Sequence, residues 1–190
     1  MMSKHLIDTS LLDRAIIFAV KAHDGMERRG KGFPYIVHPL EALAIVATMT
    51  SDQEILAAAV LHDVVEDTSF TLDDIREMFG ERVAQLVDTE SDRKDESMDW
   101  RARKEESLRR LSQASREEKM VALGDKLSNM RAIARDYYSR GESFWDLFRI
   151  KDKAVHAWRY RALAEALSSL SDTFAYNEFK YLIDTTFPQE

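Results

Sequence analysis

Apolar positions recur at helical spacing through most of the chain, and no stretch alternates convincingly over strand length. Leu12, Ala15, Ile16, Ala19 and Ala22 form one face of a first helix that Ser10 can cap and that runs to about Asp24. Gly25 breaks it and opens a segment of glycine, charge and one proline up to His38. Pro39 suits the first position of a second helix, to about Met49, because its missing N–H costs nothing there. Ser51 and Glu54 form a capping box for a third helix reaching about Glu66, whose centre, residues 55–61, is apolar all round and belongs in the core. Thr71 and Asp74 start a short helix ending near Phe79 and Gly80, and another follows to about Val87. Residues 88–103 are polar, with only Met98 and Trp100 as large apolar groups, and read as a long mobile loop. Helical spacing returns over 104–111, strongly over 115–138, and in two closing helices over 153–170 and 172–183. The pattern predicts a single all-α domain, a helical bundle over residues 1–190.

Composition adds exclusions. A net charge of −7 speaks against a dedicated nucleic-acid binder, yet a local cluster of Arg and Lys with a metal can still receive an anionic small molecule. The absence of cysteine removes disulfides, zinc–cysteine sites and thiol nucleophiles. The first five residues lack an apolar signal core, and no apolar run approaches ~18 residues, so the reading is a cytoplasmic protein without membrane contact.

The chemistry gathers where the apolar third helix ends in His62-Asp63 and Glu66-Asp67. In an unbroken helix, positions i and i+4 lie ~40° apart, so His62 sits beside Glu66 and Asp63 beside Asp67. Three carboxylates and an imidazole there repel one another and lose solvation unless a cation compensates them. The alternative, an exposed acidic helix end, sets those carboxylates against the macrodipole. His38 precedes Pro39, a position restricted to extended geometry, and taken alone it reads as a capping or partly buried histidine. Asp125 lies inside an apolar helical face with Asn129 one turn later; alone, it is neutralised by Lys126 or caps a neighbour. Together, His38, His62, Asp63 and Asp125 form a two-nitrogen, two-oxygen set able to bind a divalent transition metal, with positions left for water and substrate.

The order His…His-Asp…Asp resembles the metal signature of the HD-domain phosphohydrolases. Within them the chain looks like the small single-domain form of the guanosine polyphosphate (ppGpp, alarmone) hydrolases of the stringent response. The resemblance rests on Ala22-His23-Asp24-Gly25-Met26-Glu27-Arg28-Arg29, on Pro34-Tyr35-Ile36-Val37-His38-Pro39-Leu40-Glu41, on Leu61-His62-Asp63-Val64-Val65-Glu66-Asp67-Thr68 and on Ala122-Leu123-Gly124-Asp125-Lys126-Leu127-Ser128-Asn129-Met130-Arg131. It implies an HD-domain bundle with one manganese-type (Mn2+) cation on His38, His62, Asp63 and Asp125, other transition metals remaining open. It further implies Glu66 and Asp67 as the pair that handles the attacking water, and Arg28, Arg29 and Asn129 as contacts to a nucleotide substrate. The implied reaction removes the 3′-pyrophosphate of guanosine tetra- or pentaphosphate to give GDP or GTP and pyrophosphate. From their charge alone, Arg28, Arg29, Lys31 and Lys126 can balance such a polyanion.

Met26, Arg29 and Phe33 depart from the family's pattern, all on the nucleotide side. Two other functions stay open: an HD-type phosphohydrolase of another nucleotide, and a catalytically silent nucleotide-binding regulatory domain. The intact Glu66-Asp67 pair speaks against the second. The last ~50 residues are too few for an alarmone synthetase, so hydrolysis alone is expected. Residues 100–104 read equally as a basic lid over phosphate or an exposed basic helix start. Residues 156–160 read as a helix face packed on the core. Phe144, Trp145 and Phe148 read as core or a subunit contact, which leaves a homo-oligomer open. His23 reads as a cap of the first helix.

Overall fold

The third predicted helix is the axis of the chain. In the computed structural model, which describes residues 7–28, 31–90 and 99–188, α3 (Gln53–Leu61) buries every side chain from Ile55 to Leu61. Around it pack α1 (Ser10–Ala22), α2 (Val37–Val46), α6 (Glu81–Glu90) and the long α8 (Arg116–Arg140). Short α4 (Val64–Asp67) and α5 (Leu72–Phe79) join α3 to α6, and α7 (Trp100–Gln113) leads into α8. A 3₁₀ turn at Gly141–Leu147 follows, then α9 (Lys153–Ala166), a second 3₁₀ turn at Ser168–Leu170 and α10 (Phe174–Thr186). α7 packs on α9, and α10 packs on α8. Among the described residues the only extended pairing is an isolated bridge between Glu27 and Pro34. The all-α expectation holds.

Local chemistry sets several boundaries. Thr71 with Asp74, and Ser115 with Glu118, form reciprocal capping boxes at the starts of α5 and α8. Other boundaries differ from the sequence reading. Ser10 lies inside α1 and caps nothing; α3 is capped by Asp52, whose side chain accepts from the Glu54 amide at 2.9 Å, in place of Ser51. α2 starts at Val37, so His38 is helical and not extended. Pro39 falls in the first turn, where the amides have no helical acceptor to lose, and the pre-proline preference yields to the turn that precedes it. The third helix stops at Leu61 instead of reaching Glu66. The His62 ring takes the Ala59 carbonyl at 2.8 Å, the acceptor the Asp63 amide would use in an unbroken helix. The loop expected over 88–103 is entered by helix at both ends, α6 reaching Glu90 and α7 starting at Trp100. Residues 91–98 of that expectation lie outside the described residues.

One contact fixes how α8 meets α2. A Cβ built at Gly124 would lie 2.6 Å from Val46 Cγ2 and 2.9 Å from the Ala42 carbonyl oxygen. Only glycine permits this approach, and it brings Asp125 and Ser128 of α8 against His38 of α2.

Candidate metal centre

His38, from the first turn of α2, and His62, from the turn after α3, are both buried and bring their Nε2 atoms to 3.3 Å. The carboxylate of Asp63 places Oδ2 3.0 Å from His62 Nε2 and 3.4 Å from His38 Nε2. Asp125, buried in α8, places Oδ1 3.2 Å from His38 Nε2 and 3.8 Å from His62 Nε2. Donor atoms of His38, His62 and Asp63 all lie within 4.8 Å of one another.

Both imidazoles are oriented from behind. His62 Nδ1 faces a backbone carbonyl, which can only accept, so Nδ1 carries the proton and Nε2 presents a lone pair to the cluster. His38 Nδ1 lies 2.8 Å from Ser128 Oγ, whose own hydroxyl donates to Glu41 Oε2 at 2.7 Å. The lone pair on His62 Nε2, the facing His38 Nε2, the partly buried Asp63 carboxylate and the buried Asp125 carboxylate need a positive charge among them, and this donor set fits a divalent cation. The titration behaviour agrees. Burial opposes the charged form of His62, but Asp63 and Asp125 outweigh it and raise its pKa to about 9. Burial likewise opposes ionised Asp63 and Asp125, yet His62 holds the first well below the carboxylate range, and Lys126 and the histidines hold the second there.

Around this centre the other expected residues fall as follows. Glu66 and Asp67 are exposed in α4 and line the same cavity. The Tyr35 hydroxyl donates to Asp63 Oδ2 at 2.6 Å; burial, then Asp63 and Asp67, push the phenol far above its usual range, so it stays a donor. Lys126 pairs with Asp125, and Asn129 donates to the same carboxylate. Arg28 donates to Asn129 Oδ1 at 2.7 Å and lies over the Tyr35 ring at 5.5 Å. Arg28 and Asn129, expected as separate nucleotide contacts, thus bond each other. Arg29 lies outside the described residues.

The cavity in front of the cluster measures about 1120 Å³ and extends well past it. One side is lined by Trp100, Arg103 and Lys104 of α7, and the far side by Phe148, Arg149, Arg159 and Tyr160. Arg103, Arg149 and Arg159 form no ion pair among the described residues. At the rim, burial and the neighbouring Arg135, Arg28 and Arg140 hold the Lys31 amine below its usual range, although it pairs with Asp136. The result is a positively charged wall in a chain of net charge −7. Residues 100–104 are a helix start, and three of them face the cavity. Phe144 and Trp145 are buried core, His156 donates to the Ile150 carbonyl at 2.7 Å between Trp145 and Phe148, and His23 ends α1 by bonding the Ala19 carbonyl at 2.9 Å. Sequence reasoning missed Tyr35, Ser128 and Glu41 as parts of the site; their only signal was position, three residues from His38 on either side and three beyond Asp125.

Comparison with known proteins reports the same region. Residues 15–144 match the family profile described as HD domain. The chain is 38% identical over 125 residues to the guanosine-3′,5′-bis(diphosphate) 3′-pyrophosphohydrolase of Aquifex aeolicus, covering 64% of this chain and 18% of that protein. It is 38% identical over 128 residues to the bifunctional (p)ppGpp synthase/hydrolase SpoT of Escherichia coli K12, with the same coverage, and 36% identical over 131 residues to the GTP pyrophosphokinase rsh of Brucella ovis, covering 67% of this chain and 17% of that protein. The chain thus spans under a fifth of the length of these relatives. Among solved structures, a metazoan ortholog of SpoT described as hydrolysing ppGpp superposes with a TM-score of 0.73 at 22% identity, covering 96% of both chains. A Listeria monocytogenes EGD-e protein superposes with a TM-score of 0.72 at 27% identity, covering 80% of this chain and 99% of that one. Among the described residues, no helix is long and apolar enough to cross a membrane.

Proposed function

The chain belongs to the HD-domain family, and from that premise we propose that it is a metal-dependent phosphohydrolase that removes the 3′-pyrophosphate of guanosine tetra- or pentaphosphate. The observation that carries this reading is the cluster of buried His38, His62 and Asp125 with partly buried Asp63, opening onto a cavity lined by arginine and lysine. An HD hydrolase domain implies a divalent metal. His38, His62, Asp63 and Asp125 would hold it, and manganese is the ion we assign. When bound, such an ion supplies Lewis acidity, acidifying water and offsetting charge on phosphoryl oxygens.

The chain's own groups do the rest. Glu66, four residues beyond His62 in α4 and open to the cavity, takes the proton of the attacking water. Asp67 lies near the Tyr35 hydroxyl, which donates to Asp63, and lines the cavity beside Glu66. Water adds to the phosphorus carried by the ribose 3′-oxygen, that P–O bond breaks, and the proton taken from the water passes to the freed 3′-oxygen, giving pyrophosphate and GDP or GTP. Arg28, Lys126 and Asn129 line the cavity near the centre and meet the nucleotide, a role the sequence also assigns to Arg29, while Arg103, Arg149 and Arg159 give the cavity capacity for more than one anionic group. The names of the Aquifex and E. coli relatives support this substrate class.

The test is to load the full chain with manganese, offer it a panel of nucleotides with and without a 3′-pyrophosphate, and separate the products by charge. Pyrophosphate is expected only from the 3′-pyrophosphorylated members, and release from none of them would overturn the proposal. In the same assay, Glu66→Gln is expected to keep its metal while turnover falls ~10²-fold or more. Loss of metal in that variant would instead make Glu66 a ligand.

A further inference from the structure

We propose that Glu41 and Ser128 are positioning residues for the metal centre, holding the His38 ring with its proton on Nδ1 and its lone pair on Nε2. The inference rests on the reading of His38 as a ligand. It starts from the difference between the two histidines. A backbone carbonyl stands behind His62 and can accept only, so that ring has one stable tautomer. A hydroxyl stands behind His38, and a hydroxyl is ambiguous. With its hydrogen turned toward Nδ1, Ser128 would stabilise the opposite tautomer and set an N–H, useless to a cation, on the face that meets Asp63 and Asp125.

Glu41 removes the ambiguity. Its Oε2 lies 2.7 Å from Ser128 Oγ, and a carboxylate there accepts the single hydroxyl hydrogen. Ser128 is left with acceptor capacity alone toward His38 Nδ1 at 2.8 Å. With Ser128 only 1% and His38 only 3% exposed, no bulk water reaches the pair to take over either role. Glu41 is itself held: Arg131 Nη1 donates to its other oxygen at 3.1 Å, while Arg131 Nε and Nη2 grip Glu178 of α10 at 2.6 and 2.7 Å. Donation thus runs from His38 through Ser128 to Glu41, where it meets Arg131, which donates to Glu41 and to Glu178 alike, and the chain gives α10 a part in the centre although α10 supplies no ligand.

The experiment measures manganese dissociation constants of the full chain by competition with a chromogenic chelator. The variants are Ser128→Ala, Ser128→Thr, Glu41→Gln and His38→Ala, with the melting temperature of each metal-free protein recorded alongside. Ser128→Ala and Glu41→Gln are each expected to weaken manganese binding ~10- to 100-fold, the usual effect of losing a partner behind a metal-binding histidine. Ser128→Thr, which keeps the hydroxyl, is expected to bind close to the parent. In the zinc-loaded parent, nitrogen-15 NMR is expected to find the His38 Nδ1 proton slow to exchange with water, and in Ser128→Ala fast. The Glu41 side chain is 36% exposed and glutamine matches it in shape, so Glu41→Gln is expected to fold, and unchanged affinity in that variant overturns the relay. If His38→Ala loses the metal while Ser128→Ala and Glu41→Gln retain it, the ligand reading stands and the relay falls. If His38→Ala keeps its metal, the ligand reading itself falls.

Discussion

Without a cation, the lone pairs and carboxylates around His62 draw in a proton instead, which is why its pKa rises from 6.5 to about 9. A group whose folded pKa lies above its unfolded one lends stability that is complete below the unfolded value and disappears as pH climbs through the folded one. The metal-free protein is therefore expected to lose melting temperature between about pH 6.5 and pH 9, and His62→Gln to flatten that slope. Calorimetry across this window checks it, and a level profile for the metal-free parent would count against the arrangement. At this scale the sequence was informative where a residue is out of place in its own surroundings. His62 and Asp63 end an apolar helix, and Asp125 interrupts an apolar face, so each announces itself. Tyr35, Glu41 and Ser128 are ordinary residues for a turn or a helix. Their roles come from partners 28 to 90 positions away, which no local pattern encodes.

Between elements, the decisive contact is the crossing of α2 and α8 at Gly124. Alanine there gains ~1 kcal/mol in helix propensity. Its methyl meets a backbone oxygen that cannot swing aside, and overpacking of this kind costs ~1–3 kcal/mol. Gly124→Ala is expected to lose stability on balance and, by pushing Asp125 and Ser128 away from His38, to weaken manganese binding. Thermal melts and the chelator competition check both, and a variant as stable and as tight as the parent would show that α2 gives way. The capping boxes of α5 and α8 could be read in advance because a cap is local chemistry spanning four residues. The break after Leu61 and the helical setting of His38 could not. In the first, a side chain captures a backbone acceptor; in the second, a preceding turn overrides a dipeptide preference. Both departures fall on ligand candidates.

For the whole molecule, the cluster ties together α2, the end of α3, α4 and α8, so a bound cation acts on global stability. Metal present at ~100 times its dissociation constant adds ~2.7 kcal/mol. For a domain of this size ~1 kcal/mol moves the midpoint by ~2–4 °C. Chelation is thus expected to lower the melting temperature by roughly 5–11 °C, with manganese restoring it, and a midpoint indifferent to chelator would argue that no metal binds the folded chain. The two sides of the cavity come from different stretches of the chain. The cluster lies within the matched span 15–144, whereas Phe148, Arg149, Arg159 and Tyr160 come from the stretch that follows it. Substitutions in the closing third can therefore reshape the doorway through which a guest enters while leaving every residue of the hearth behind it untouched.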